Sequence, residues 1–314
     1  MLYRPLGRTG LSVSEIGFGA ASWWGKPQFS EAAAVRLVHA ALDGGVTFLD
    51  TGSSYSGGHA EPRLGRALNG RDVSDLVIAT KAGTFATKAG GFAAGGRVGR
   101  DFSVEAIVAS AERSLRNLGL DALPLLQLHG PAVAELTDEL RAALQGLKAR
   151  GLVRALGVNS FDPAVIEHVV GLPDFDVVMV DYNVLRPERE PLIARAASAG
   201  KGVLAGMALA MGHTGGQVAR LRAPRDLWYA ARGLLRHRRD VEDGARFGLL
   251  NQVPGMTGPQ AALAYVLANP GVACAVTGTT RLRHLAENVA ASGMTLPAPA
   301  MAAIRARQLG RLSG

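Results

Sequence analysis

A chain of 314 residues with 48% apolar and 19% charged side chains holds enough apolar material for a large buried core and too little charge for disorder. No run reaches the ~18 uninterrupted apolar residues of a membrane helix, and the opening MLYRPLGRTG has no signal-like stretch, so a cytoplasmic protein without membrane spans is expected. One cysteine, Cys274, excludes an internal disulfide, and the scattered histidines show no metal-ligand spacing; the formal charge of +8 suits an anionic ligand, with nucleic acid the weaker alternative.

In chain order, YRPLGRTGLSVSEIG reads as two extended pieces around Arg8-Thr9-Gly10, a hairpin placed to plug the bottom of a barrel. Short apolar runs then alternate with stretches of helical spacing, the pattern of βαβ units on a parallel sheet. The strand candidates are SEIGFGA, VTFLDTG, DLVIATK, LPLLQLH, VRALGVN, FDVVMVDYN, KGVLAGM and VACAVTG, each apolar enough to be covered on both faces. Helix starts stand out at Ser30, at Asp162-Pro163, and at Thr257 with Gln260 as a capping box. Leu136, Leu140, Leu144 and Leu147 form one apolar stripe that ends near Lys148, Arg150 and Gly151. Two long insertions, 82–101 and 212–256, follow the third and seventh strands and read as candidate lids, and APAMAAIRARQLGRLSG reads as an extra terminal helix. Eight strands without a linker predict a single (β/α)8 barrel domain over residues 1–314.

In such a barrel the C-terminal ends of the strands converge on one rim, and here those ends carry Asp50 and Tyr55, Lys81, and His129. Singly, each has a structural reading: Asp50 as a turn residue, Lys81 as a surface charge, His129 as a satisfied core histidine. Together they suit carbonyl reduction, which needs a hydride donor at carbon and a proton donor at oxygen. A tyrosine titrates near ~10 in water, a neighbouring lysine ammonium favours its ionised form, and a carboxylate keeps that lysine charged and placed. A histidine can orient the carbonyl oxygen.

The strings FLDTGSSY, IATK and LLQLH resemble the Asp, Tyr, Lys and His motifs of the aldo-keto reductase superfamily, in the same order. YRPLGRTGLSVSEIGFG, HAEPRLGRAL and the late NVAA extend the resemblance over nearly the whole chain. It implies an NAD(P)(H)-dependent oxidoreductase with Asp50, Tyr55, Lys81 and His129 as its catalytic tetrad. His129, where some relatives carry glutamate for double-bond reduction, favours a carbonyl substrate or the reverse alcohol oxidation. GMALAMG resembles the sugar-dehydrogenase branch, of which L-galactose dehydrogenases are an example.

Phosphates are well held by N–H groups at a helix start, and in barrels such sites often follow the last strands. Gly278, Thr279 and Thr280, before a helix starting near Arg281, have that placement; a plain capping turn is the structural alternative. By resemblance this loop holds cofactor phosphate, and Glu287 and Asn288 contact the adenine. The pair that holds the nicotinamide amide appears as Asn159-Ser160, in reversed order. Met179 stands where a glutamine usually assists, and Gly206 or Met207 replaces a stacking tyrosine. His284 aligns with a frequent 2′-phosphate arginine and is flanked by Arg281 and Arg283, which tilts the expectation to NADP(H) over NAD(H).

Trp23, Trp24 and Trp228 are candidate substrate-pocket walls, against packing under a loop. The basic run Arg236–Arg239 reads as a solvated helix face, and Cys274 as a core residue. Two rival functions are a Schiff-base aldolase using Lys81 and a non-catalytic NAD(P)-binding regulatory subunit.

Overall fold

The structure is a computed structural model describing residues 1–87, 98–210 and 238–312. Strands β1 (Tyr3–Pro5) and β2 (Ser12–Ser14) form the antiparallel hairpin expected from the sequence. The barrel strands are β3 (Ile16–Gly19), β4 (Phe48–Asp50), β5 (Val77–Ala82), β8 (Leu123–His129), β9 (Val153–Asn159), β10 (Val177–Asp181), β11 (Gly202–Gly206) and β12 (Cys274–Thr277). They close in the order β3-β4-β5-β8-β9-β10-β11-β12 and back to β3, all parallel. A small antiparallel hairpin, β6 (Thr84–Ala86) with β7 (Val98–Arg100), forms the base of the first insertion.

Helices α1 (Glu31–Asp43), α2 (Ala60–Leu68), α3 (Val104–Leu118), α4 (Asp138–Ala149), α5 (Pro163–Val170) and α6 (Glu190–Ser198) belong to the first six units. Then come α7 (Arg238–Ala245), α8 (Gly258–Leu267), α9 (Leu282–Val289) and a final α10 (Ala298–Leu312). Their starts follow the sequence signals. Ser30 accepts from the Ala33 amide, Asp162 from Ala164 ahead of Pro163, and Thr257 with Gln260 closes a reciprocal capping box. The α4 stripe of Leu140, Leu144 and Leu147 is 1% exposed at each position, and Leu136 just before it is also buried.

The hairpin seals the N-terminal end of the barrel. Leu6 and Val13 are fully buried in one cluster with inward side chains of the strands, among them Phe48, Val77, Ala79, Leu125, Leu204 and Cys274. Burying each of the two stabilises by about 1.5–3 kcal/mol. Gly7 permits this approach: it sits at φ +57°, and a Cβ there would meet the Gly202 amide nitrogen at 2.2 Å. Cys274 is enclosed and its thiol is pushed well up by burial, as suits a core residue. No helix among the described residues is long and apolar enough to cross a membrane. Most of the second insertion and the tip of the first, with Trp228, Arg236 and His237, lie outside the described residues, so the lid readings for those parts do too.

Candidate active site

The pleat of the strands changes character from one end of the barrel to the other. Inward positions run Phe48 then Asp50 on β4, Val77, Ala79 then Lys81 on β5, and Leu125, Gln127 then His129 on β8. Apolar side chains fill the lower layers, and the top layer facing the rim is an ion pair with an amide and an imidazole beside it. In-register pairing sets Lys81 beside Gln127 and Asp50 beside Ala79, one step lower, and the long Lys81 side chain spans that step to reach the carboxylate.

Lys81 is fully buried, and its Nζ donates to Asp50 Oδ1 at 2.5 Å and to the Thr51 carbonyl at 2.9 Å. Burial alone would lower its pKa, but the Asp50 carboxylate, and the Tyr55 hydroxyl hydrogen-bonded to it, raise it above the ordinary lysine range. Burial lifts the Asp50 carboxyl, countered by Lys81 and by Gln127, whose Nε2 lies 3.5 Å from Asp50 Oδ1. A lysine ion-paired and favoured as an ammonium is a poor Schiff-base nucleophile, which weighs against the aldolase alternative.

Tyr55 lies on a single 3-10 turn, Tyr55–Gly57. Three consecutive left-handed residues, Ser56 (φ +58°), Gly57 and Gly58, reverse the chain there, and Ser56 Oγ secures the reversal by donating to the Ser22 carbonyl at 2.7 Å. The Lys81 ammonium lies 4.8 Å from the Tyr55 ring centre, and the His129 ring meets that ring edge-on at 5.4 Å and 82°. His129 is held neutral: burial first, then the charges of Lys81 and Arg100, drop its pKa to about 3. Asp50, Tyr55, Lys81 and His129 thus share one site on the rim.

The remaining sequence candidates are placed around this rim with different access. Asn159 ends β9 beside His129 and is 6% exposed; Ser160 spends its Oγ as acceptor for the Asp162 amide at 3.2 Å. Met179 lies inside the barrel against Gly206, where a Cβ would touch its Cγ at 3.4 Å. Gly278 is exposed, Thr279 turns back to the Arg281 amide through its Oγ1, and α9 starts without a side-chain cap. Arg283 is exposed, while Thr280, Arg281, His284 and Glu287 are half-buried; Asn288, at 2% exposure, is the least reachable of the set. The Asn159 amide at the end of β9, an exposed glycine, uncapped N–H groups and nearby arginines fit the amide and anionic phosphates of a nicotinamide dinucleotide.

Trp24 departs from expectation. It is 1% exposed, its indole N–H donates to the Ala34 carbonyl, and its ring packs edge-on to Phe18 with the Arg63 guanidinium 6.0 Å from its centre. It is a core residue rather than a pocket wall. Trp23, 8% exposed on the same short turn, is almost as enclosed.

Some site residues carried no sequence expectation. Asn183 donates to the Met207 carbonyl and so braces the exit of β11, where Met207 adopts φ +54°. Thr84 and Ser54 contact His129 directly and at one remove. For Gln127 the signal available was a lone polar residue inside an apolar strand, two positions before His129; its Oε1 is buried without a partner among the described residues.

The profile of the Aldo/keto reductase family matches residues 15–308. The chain is 30% identical over 302 residues to the L-galactose dehydrogenase of Arabidopsis thaliana, covering 92% of this chain and 87% of that one. It is 28% identical over 308 residues to a probable voltage-gated potassium channel subunit beta of the same plant, covering 93% and 91%. Among solved structures, an aldo-keto reductase of Bacillus halodurans in its holo form matches with a TM-score of 0.78 at 29% identity, over 98% of this chain and 96% of that one.

Proposed function

The chain belongs to the Aldo/keto reductase family and is an NAD(P)-dependent oxidoreductase, and on that premise we propose that Tyr55 moves the proton in a carbonyl–alcohol interconversion at the barrel rim. The observation that carries this reading is the buried chain of contacts from Asp50 through Lys81 to Tyr55, with His129 at the edge of the phenol ring.

A nicotinamide held at this rim would supply the hydride in reduction and accept it in oxidation. Tyr55 donates its phenolic proton to the substrate oxygen as that oxygen gains negative charge, and recovers it in the reverse direction. Lys81 stabilises the phenolate left behind, and Asp50 keeps Lys81 charged where burial would otherwise neutralise it. Neutral His129 orients the substrate oxygen toward the phenol. Asn159 and Ser160 would hold the carboxamide, Gly278, Thr279 and Thr280 with the start of α9 would take the phosphates, and Glu287 and Asn288 would meet the adenine. Arg281 and Arg283 beside His284 favour NADP(H), since a guanidinium matches a 2′-phosphate. The substrate is an aldehyde, ketone or aldose, with Trp23 and Trp228 as candidate walls. The whole chain acts as one barrel domain, and its single enclosed thiol is at home in the cytoplasm.

The test replaces Tyr55 with Phe. Turnover with a panel of aldoses and aliphatic and aromatic carbonyls should fall about 10²–10⁴-fold, with the fluorescence-measured affinity for NADPH unchanged. Near-normal turnover would remove the proton-donor assignment. In the same titration NADPH should bind more tightly than NADH, and Arg283→Ala should narrow the gap.

A further inference from the structure

Behind His129 lies a short file of hydroxyls that proton transfer itself does not use. Ser54 Oγ is 2.9 Å from Thr84 Oγ1, and Thr84 Oγ1 is 2.7 Å from His129 Nδ1. Both hydroxyls are buried, at 7% and 9% exposure.

Counting hydrogens decides the direction of the file. Thr84 has one hydroxyl proton and two neighbours. If His129 Nδ1–H donated to Thr84, Thr84 would have to donate to Ser54, and the Ser54 proton would then be buried without an acceptor among the described residues. A buried donor left unmade costs about 1–3 kcal/mol. In the opposite direction Ser54 donates to Thr84, Thr84 donates to Nδ1, and every proton is used. The unprotonated nitrogen of the imidazole is then Nδ1, and Nε2 carries the hydrogen.

The backbone fixes the threonine in this role. Gly83 turns at φ +92°, and any side chain there would strike the Phe102 ring at 2.2 Å. Ser53 Oγ contacts both the Lys81 carbonyl at 2.8 Å and the Thr84 carbonyl at 3.0 Å. The charges of Lys81 and Arg100 also oppose an imidazolium, so a neutral ring with one settled tautomer is what the surroundings favour.

We propose that Thr84, backed by Ser54, is a positioning residue that locks His129 as the Nε2–H tautomer, the form able to donate a hydrogen bond to a substrate oxygen. This rests on the reading of His129 as the residue that orients that oxygen. It also ties the site to the first insertion, because Thr84 opens β6 at the base of that hairpin.

Long-range proton–nitrogen correlation spectra of histidine-labelled protein report which ring nitrogen is protonated, with His129 assigned by loss of its signals in His129→Asn. The wild type should show Nε2–H alone. Thr84→Val, nearly isosteric, should redistribute the proton toward Nδ1 and lower kcat about tenfold with KM within about twofold. Thr84→Ser should restore both readouts, and Ser54→Ala should give a smaller shift in the same direction. A wild-type ring protonated at Nδ1, or a Thr84→Val protein with an unchanged tautomer, overturns the proposal. A changed tautomer with undiminished kcat upholds the lock and overturns the role given to His129.

Discussion

The two ends of the barrel are built from the same strands and solve opposite problems. At the N-terminal end, Leu6 and Val13 cap an apolar interior, and the buried Glu15 nearby is matched by Arg4 on the same hairpin. At the C-terminal end, one step further along the same pleat, an ionised lysine and aspartate occupy positions that Ala79 and Phe48 hold a layer below. One end carries stability that costs nothing in function; the other carries function held in place by a charge pair that must remain complete.

Lys81→Met should separate the two ends most sharply. It leaves Asp50 buried without its partner, so stability should drop by about 3–5 kcal/mol in urea unfolding while turnover collapses. Leu6→Ala is its counterpart at the closed end. A cavity beneath the hairpin should cost about 2–5 kcal/mol with kcat within about twofold of wild type. Equal loss of kcat and stability in Leu6→Ala would mean the ends are not separable.

A smaller effect follows from His129. Its folded pKa of about 3 lies below the unfolded value near 6.5, so the unfolded chain takes up this proton first as pH falls. The contribution is intact above about pH 6.5 and is lost progressively toward pH 3. By pH 5 the wild type should have lost about 2 kcal/mol more than His129→Asn in urea midpoints converted to free energy. For the same reason His129 itself should add no acid limb to the kcat profile between pH 5 and pH 8.

This contrast also explains what could be read from the sequence. Strands covered on both faces are nearly continuous apolar runs, so all eight stood out, and Ser30, Asp162 and Thr257 announced their helices through local bonds that do not depend on the rest of the fold. Asp50, Lys81 and His129 were legible because each interrupts or ends such a run. Thr84 was not, since it sits in a glycine- and alanine-rich insertion without periodicity, and its partners are 30 and 45 residues away. Trp24 misled for a related reason. On a short turn neighbouring side chains diverge, and Trp24 went to the core through a bond to Ala34 that no spacing rule foretells.

The seam between β12 and β3 closes the barrel by joining Thr277 to Gly17 across 260 residues. During synthesis at about 5–20 residues per second, the open edge of β3 therefore waits roughly 13–50 s for its last neighbour to leave the ribosome. Throughout that interval the nascent chain presents an unpaired apolar strand, the feature on which sheet-to-sheet aggregation begins. The geometry that gives the finished enzyme a barrel without edges makes its birth the moment of greatest exposure.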